Sequence, residues 1–263
     1  MPDHPRRRPS SLEEATKLVT PDIRSGWVLG LYPDAGEASG TFHYRRQPRP
    51  CATPGPALDP ERAASEAARR ARTKVRRYAA ANRLDRLGTL TYRGDGLHDE
   101  RAVRRHIAHY FKRLRYEVIG EPFPYLWVPE WHNTDHGLHV HFAIDRYVKQ
   151  RQLADVWGRG FVHIKRLGSA RSAGTLESAR HAAGYLSKYV AKSFDESPRC
   201  ARLHRYEIAQ GFAPKVERVW APTRELAIDA VSEIMGRDPR TVWTSDQTVG
   251  WKAPPAVWMS WDD

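Results

Sequence analysis

Apolar and polar positions follow two periods along this chain, and together they divide its middle into elements. From Asp59, "DPERAASEAARRARTKVRRYAAANRL" opens with Asp before Pro and continues in Ala, Glu and Arg, so it reads as a long basic helix. In "RLGTLTYRGDG", Leu87, Thr89 and Thr91 alternate up to a Gly-Asp-Gly turn, which predicts a strand. Val103, Ile107, Tyr110, Leu114 and Val118 recur at helical spacing in the segment that follows. "FPYLWVPEWH" and "GLHVHFAID" are β-rich runs separated by "NTDH", the pattern of an antiparallel hairpin. "KQRQLADVWGRG" then reads as a helix, "FVHIKRLG" as a strand and "LESARHAAGYLSKYVAKSF" as a helix. The order β-α-β-β-α-β-α predicts an α+β domain over residues 59–198, an antiparallel sheet of about five strands with helices mainly on one face.

The flanks are less regular. Residues 1–58 read as an N-terminal extension, with an apolar patch "GWVLGLY" and the Pro-rich linker "RRQPRPCATPGPALDP". Residues 199–263 read as a C-terminal extension with one helix near "TRELAIDAVSEIMG". Trp243, Trp251, Trp258 and Trp261 lie in it, and core packing is favoured over base stacking for them.

Composition narrows the class of partner. With 263 residues and 40% hydrophobic content the chain can bury a core, and 43 Lys+Arg against 31 Asp+Glu leave a charge of +12. Such an excess favours a polyanion, nucleic acid above all. No run of about twenty apolar residues is present, and the basic N-terminus has no apolar segment behind it. The expectation is a cytoplasmic protein with no membrane partner. Cys51 and Cys200 alone support neither a disulfide framework nor a four-cysteine zinc site. The arginines of the first long helix, Arg76 and Arg77 among them, form either a solvated face or a phosphate-binding ridge, and few acidic residues follow Glu66 to pair them.

Two segments carry candidate chemistry. In the "HGLHVHFAI" strand His139 and His141 project from one face while Leu138, Val140 and Phe142 point into the core. Two neutral imidazoles at that spacing can bind one divalent metal; otherwise they are surface histidines on a half-exposed strand. If "NTDHG" makes the turn, Glu130 lies across from His139, with cross-strand partners about 5 Å apart. A register slip of one residue would leave His132 or His136 as the third ligand. In the last helix, at roughly 100° per residue, Leu176, Ala179, Ala183, Leu186 and Val190 form a core stripe. Ser178, His181, Tyr185, Lys188, Tyr189 and Lys192 form a separate one. A tyrosine hydroxyl, with a pKa near 10, attacks phosphate only if the phenolate is favoured or its target polarised. Lysines and a metal could do both.

Three motifs in this order, "LGTLTY" (87–92), "LHVHF" (138–142) and "YLSKYVAK" (185–192), resemble those of the HUH endonucleases, in particular rolling-circle replication initiators of the two-tyrosine type. The resemblance spans residues 59–198. It implies that His139 and His141 bind Mg²⁺ or Mn²⁺ with Glu130 as a less secure third ligand. It further implies that Tyr185 is the first nucleophile, Tyr189 a second or alternative one, and Lys188 an assistant to phosphate or phenolate. Lys192 and Thr91 are then expected to position single-stranded DNA at a replication origin. No "GxxxxGK[ST]" phosphate loop is present, so strand opening is expected to need a host helicase, with a host DNA polymerase extending the 3′ end. A transposase or relaxase would share the chemistry, and a non-enzymatic nucleic-acid-binding module would share only the charge.

Overall fold

A computed structural model describes residues 25–44, 57, 59–167, 175–195 (side chains to 190) and 205–261. Cys51, Cys200 and the side chain of Lys192 lie outside the described residues. Along the chain run β1 (Gly26–Tyr32), β2 (Glu37–His43), α1 (Pro60–Ala81), β3 (Arg86–Tyr92), α2 (Glu100–Arg113), β4 (Tyr125–Trp131) and β5 (Leu138–Ile144). After them come α3 (Gln150–Trp157), β6 (Gly160–Arg166), α4 (Leu176–Asp195), β7 (Glu207–Ile208), β8 (Glu217–Ala221), α5 (Arg224–Met235), β9 (Thr241–Thr244) and β10 (Ala256–Ser260). None of the described helices is long and apolar enough to cross a membrane.

The helices begin and end where local chemistry puts them. Asp59 caps α1 by accepting from the Arg62 amide at 2.9 Å, with Pro60 in the first turn. Asp99 caps α2 in the same way, through the amides of Arg101 and Ala102. The helical spacing through Leu114 and Val118 continues past α2 as a π-helical turn, Leu114–Ile119, which Gly120 ends at φ 83°.

Ten strands form two antiparallel five-stranded sheets, an α+β fold. The first, in order β6-β3-β5-β4-β7, holds the four strands the sequence predicts and takes its fifth, β7, from the stretch read as a C-terminal extension. Its helices, however, cover both faces. On one face Leu90, Tyr92, Trp127, Val140, Phe142 and Ile144 pack against α2 and α3. On the other, Leu87, Leu126, Val128 and Ala143 pack against Ala71, Val75, Tyr78 and Ala79 of α1 and Ala183, Leu186 and Val190 of α4. The expectation of helices mainly on one face fails because the alternate positions are also apolar at the sheet's centre, as in strands buried on both sides. Gly88 marks how closely the first face is packed: a Cβ there would fall inside the Phe142 ring. Gly88→Ala should therefore cost about 1–3 kcal/mol of unfolding free energy in urea titrations; a loss below about 0.5 kcal/mol would contradict this packing.

The second sheet, in order β8-β1-β2-β10-β9, joins the two flanks that the sequence reading kept apart. Trp27, Leu29, Leu31, Val257, Met259 and Trp261 form its core with Ala227 and Val231 of α5. Of the four tail tryptophans, Trp261 is buried with its indole N–H on the Arg237 carbonyl, while Trp251 is exposed. α1 lies between the sheets. Its Arg76 and Arg77, candidates for phosphate contact, grip Glu37 of β2: both guanidiniums bond the carboxylate at 2.6–3.0 Å, and Arg77 also reaches Ser39. The charges thought to lack acidic partners after Glu66 find one before it, in a strand remote in sequence.

Candidate active site

The hairpin register sets the site. Glu130 pairs directly with His139, Val128 with His141, and Thr89 on β3 with His141 from the other side. Thr89, Glu130, His139 and His141 therefore share the sheet face that α4 crosses. A loop closed by the His132 amide on the Gly137 carbonyl at 2.9 Å joins the strands, and Gly137 takes φ 77° to make the turn.

His141 is buried and held on both nitrogens. Its Nε2 lies 2.6 Å from Glu130 Oε2 and its Nδ1 3.1 Å from Thr89 Oγ1. With a carboxylate at Nε2, the tautomer that satisfies all three groups has Nε2–H donating to Glu130 and the Thr89 hydroxyl donating to Nδ1. The Tyr189 ring of α4 stacks on this imidazole at 3.8 Å between centroids and 16° between planes. Tyr189 in turn donates its hydroxyl to the Tyr185 hydroxyl oxygen at 2.8 Å. Burial, this contact with Tyr185 and the charge of Glu130 push the Tyr189 phenol above its ordinary range, so it remains a proton donor.

His139 differs from its neighbour. Its Nε2 is buried and has no hydrogen-bond partner, a state that costs free energy unless some group meets it. Burial first, and then the nearby His132, His136 and His141, lower its pKa to about 4, so the ring is neutral with a lone pair to offer. The alternative ligands are partly committed: His136 Nε2 donates to the Tyr92 carbonyl at 2.9 Å, and His132 Nδ1 lies 2.7 Å from Thr134 Oγ1. A divalent ion fits this face by donor chemistry, two imidazoles and a carboxylate: His139 Nε2 is unmet, and His141 Nε2 becomes a ligand atom when its proton moves to Nδ1, which then donates to Thr89 Oγ1. Among the described residues no three His, Cys, Asp or Glu side chains already converge as a cage.

The other expected residues are placed less centrally. Lys188 is exposed and makes no hydrogen bond or ion pair among the described residues. Thr91 lies on the site face by strand alternation, and its carbonyl accepts from the Trp157 indole at 3.1 Å. Two residues have larger roles than their sequence pattern gave them. Thr89 orients His141, and Lys165 of β6 sets its ammonium 5.2 Å from the Tyr185 ring centroid. The alternation of "FVHIKR" contained the second signal, since Phe161, His163 and Lys165 pair with Thr91, Thr89 and Leu87 on the same face. Thr89→Val keeps the shape but removes the hydroxyl that fixes the imidazole. It should lower divalent-ion affinity by about 10- to 100-fold, read by titrating Mn²⁺ and following its paramagnetic signal; unchanged affinity would remove Thr89 from this role.

Residues 85–194, which hold all of these groups, match the family model of the replication-associated protein ORF2/G2P. The chain is thus similar to replication-associated proteins over that stretch, which supports a replication initiator acting on DNA. No curated protein and no solved structure matches the chain significantly.

Proposed function

We propose that the protein starts rolling-circle DNA replication by nicking one DNA strand through Tyr185, staying joined to the 5′ phosphate and leaving a 3′ hydroxyl to be extended. The observation that carries this reading is the hydroxyl pair of Tyr185 and Tyr189 on α4, set against His141 and Glu130 on the sheet. Tyr185 is the residue of the pair whose oxygen accepts a hydrogen bond, and that bond lowers the cost of a phenolate as its proton leaves. Tyr189 is the donor and stands ready as a second nucleophile for strand transfer. Lys165 beneath the Tyr185 ring and the exposed Lys188 supply positive charge where phosphate oxygens would lie. His139, His141 and Glu130 are the residues that would hold Mg²⁺ or Mn²⁺, which when bound supplies Lewis-acid polarisation of the phosphate.

In the step itself, Tyr185 releases its proton to solvent, its oxygen forms a bond to phosphorus, the P–O3′ bond breaks, and the departing 3′ oxygen takes up a proton from solvent. Reversal by a 3′ hydroxyl rejoins the strand without an external energy source. The test is incubation of the protein with Mn²⁺ and single-stranded oligonucleotides tiled across the DNA that flanks its gene. A protein–DNA adduct resistant to denaturing electrophoresis is expected from one tile, and it should vanish with EDTA. Adduct formation that ignores EDTA would remove the metal from this account, and no adduct from any tile would remove the nicking reaction.

A further inference from the structure

Past Arg113 the second helix widens into the π turn Leu114–Ile119, and turns of this kind recur at functional sites. A cavity lies beside it. Where β4 begins and the short β7 closes the sheet edge, a space of about 420 Å³ opens on the face away from the tyrosines. That is within the roughly 300–1,000 Å³ of small-ligand pockets. Phe111, Lys112, Arg115, Tyr116, Tyr125 and Gln210 bring its chemistry.

Each part of the wall offers a different group. The Phe111 and Tyr125 rings stack in parallel at 3.8 Å between centroids and 3° between planes, and Tyr116, 65% exposed, adds a third ring. The Arg115 guanidinium sits 5.1 Å from the Tyr116 ring centroid, and neither it nor the exposed Lys112 ammonium has a hydrogen bond or ion pair among the described residues. The carboxylate in the wall, Glu207, is bonded by Arg104 at 2.9 Å and does not claim them. Tyr125 is half-buried, and its hydroxyl makes no hydrogen bond among the described residues. Burial and then the charge of Glu207 raise its pKa against the pull of Arg115, so it stays a proton donor. The Gln210 amide is exposed and likewise unengaged.

These three kinds of group match the three parts of a nucleotide. Aromatic rings stack on a base, a guanidinium and an ammonium meet phosphate, and a hydroxyl and an amide can read the base edge, the amide of Gln pairing with N6 and N7 of adenine. A bare anion would leave the rings unused, and an apolar ligand would leave the cations unmet. We propose that this cavity binds one nucleotide, with Tyr116 and Tyr125 against the base, Lys112 and Arg115 on the phosphate and Gln210 at the base edge. The nucleotide is either one unit of a DNA strand or a free monophosphate. The site lies on the opposite face of the sheet from Tyr185 and holds whether or not that residue nicks DNA.

The test is calorimetric titration of deoxyadenosine monophosphate (dAMP) into the full chain. Saturable binding is expected in the unaltered protein and equally in Tyr185→Phe, and affinity should fall tenfold or more in Arg115→Ala and in Tyr116→Ala. Deoxyribose 5-phosphate, which keeps the phosphate and lacks the base, should bind at least about fivefold more weakly than dAMP. Both substitutions preserve the fold, since Tyr116 is exposed and the Arg115 guanidinium holds nothing in place; circular dichroism checks this. Absence of saturable dAMP binding, equal affinity for the sugar phosphate, or unchanged affinity in the folded variants overturns the proposal. The saturation-transfer NMR signal of the dAMP ring protons separates the two sources. Its loss when a single-stranded oligodeoxyadenylate is added assigns the site to a DNA strand, and its persistence with the oligonucleotide bound assigns it to a free nucleotide.

Discussion

Tyr185→Phe should remove the covalent protein–DNA adduct, a loss on the order of 10⁴-fold or more, whereas Tyr189→Phe should keep it at a rate lower by about 10- to 100-fold. The asymmetry follows from the hydrogen bond between them. Tyr189 is pinned by its stack on His141 and donates to Tyr185 at 2.8 Å. As Tyr185 gives up its proton, negative charge grows on the atom that already accepts this bond, and a bond to a charged acceptor strengthens. Removing the donor therefore slows the attack, while removing the attacking oxygen ends it. Gel quantification of adduct from the cleaved oligonucleotide checks both variants. An adduct retained by Tyr185→Phe and lost by Tyr189→Phe would reverse the order of the two.

Glu37→Ala should destabilise the protein by about 2–4 kcal/mol without touching the site. The carboxylate is buried and holds two guanidiniums from α1. Burial by itself would raise its pKa, but the hydrogen bonds and charges of Arg76 and Arg77 outweigh burial and hold it below the ordinary 4.5. Without Glu37, Arg77, whose side chain is 14% exposed, is left charged and largely out of water. Arg76 is half open and can rehydrate, so the loss falls short of that for a fully enclosed pair. A group whose folded pKa is depressed stabilises above its unfolded pKa and stops doing so as pH falls through its folded value. The difference between unaltered protein and Glu37→Gln in urea titrations should thus be constant from about pH 8 to about pH 5.5 and shrink below about pH 4.5. A difference that does not depend on pH would show that shape, not charge, matters at this contact.

Elements built from neighbouring residues were legible in the sequence, and contacts between distant ones were not. The cap at Asp59, the hairpin register that sets Glu130 against His139, and the stripe of Tyr185 and Tyr189 all follow from local period and turn chemistry. The second sheet did not, because β1 and β2 pair with β8 and β10, strands that the whole middle of the chain separates from them. No alternation in "GWVLGLY" can name a partner that far away. The same blindness hid the partner of Arg76 and Arg77, since Glu37 lies on that second sheet. Within the site, Glu130 was found as the partner of His139 in the ladder, yet its hydrogen bond goes to His141. The register fixes which residues share a face; rotamers decide which atoms meet.

The central claim, that Tyr185 becomes bonded to DNA, can be read from one peptide map. Trypsin cuts after Arg180 and Lys188, so Tyr185 leaves in HAAGYLSK and Tyr189 in YVAK. After adduct formation with Mn²⁺, nuclease trimming and trypsin, mass spectrometry should find the nucleotide phosphate on HAAGYLSK. Its presence on YVAK alone, or on a peptide outside α4, would contradict the account.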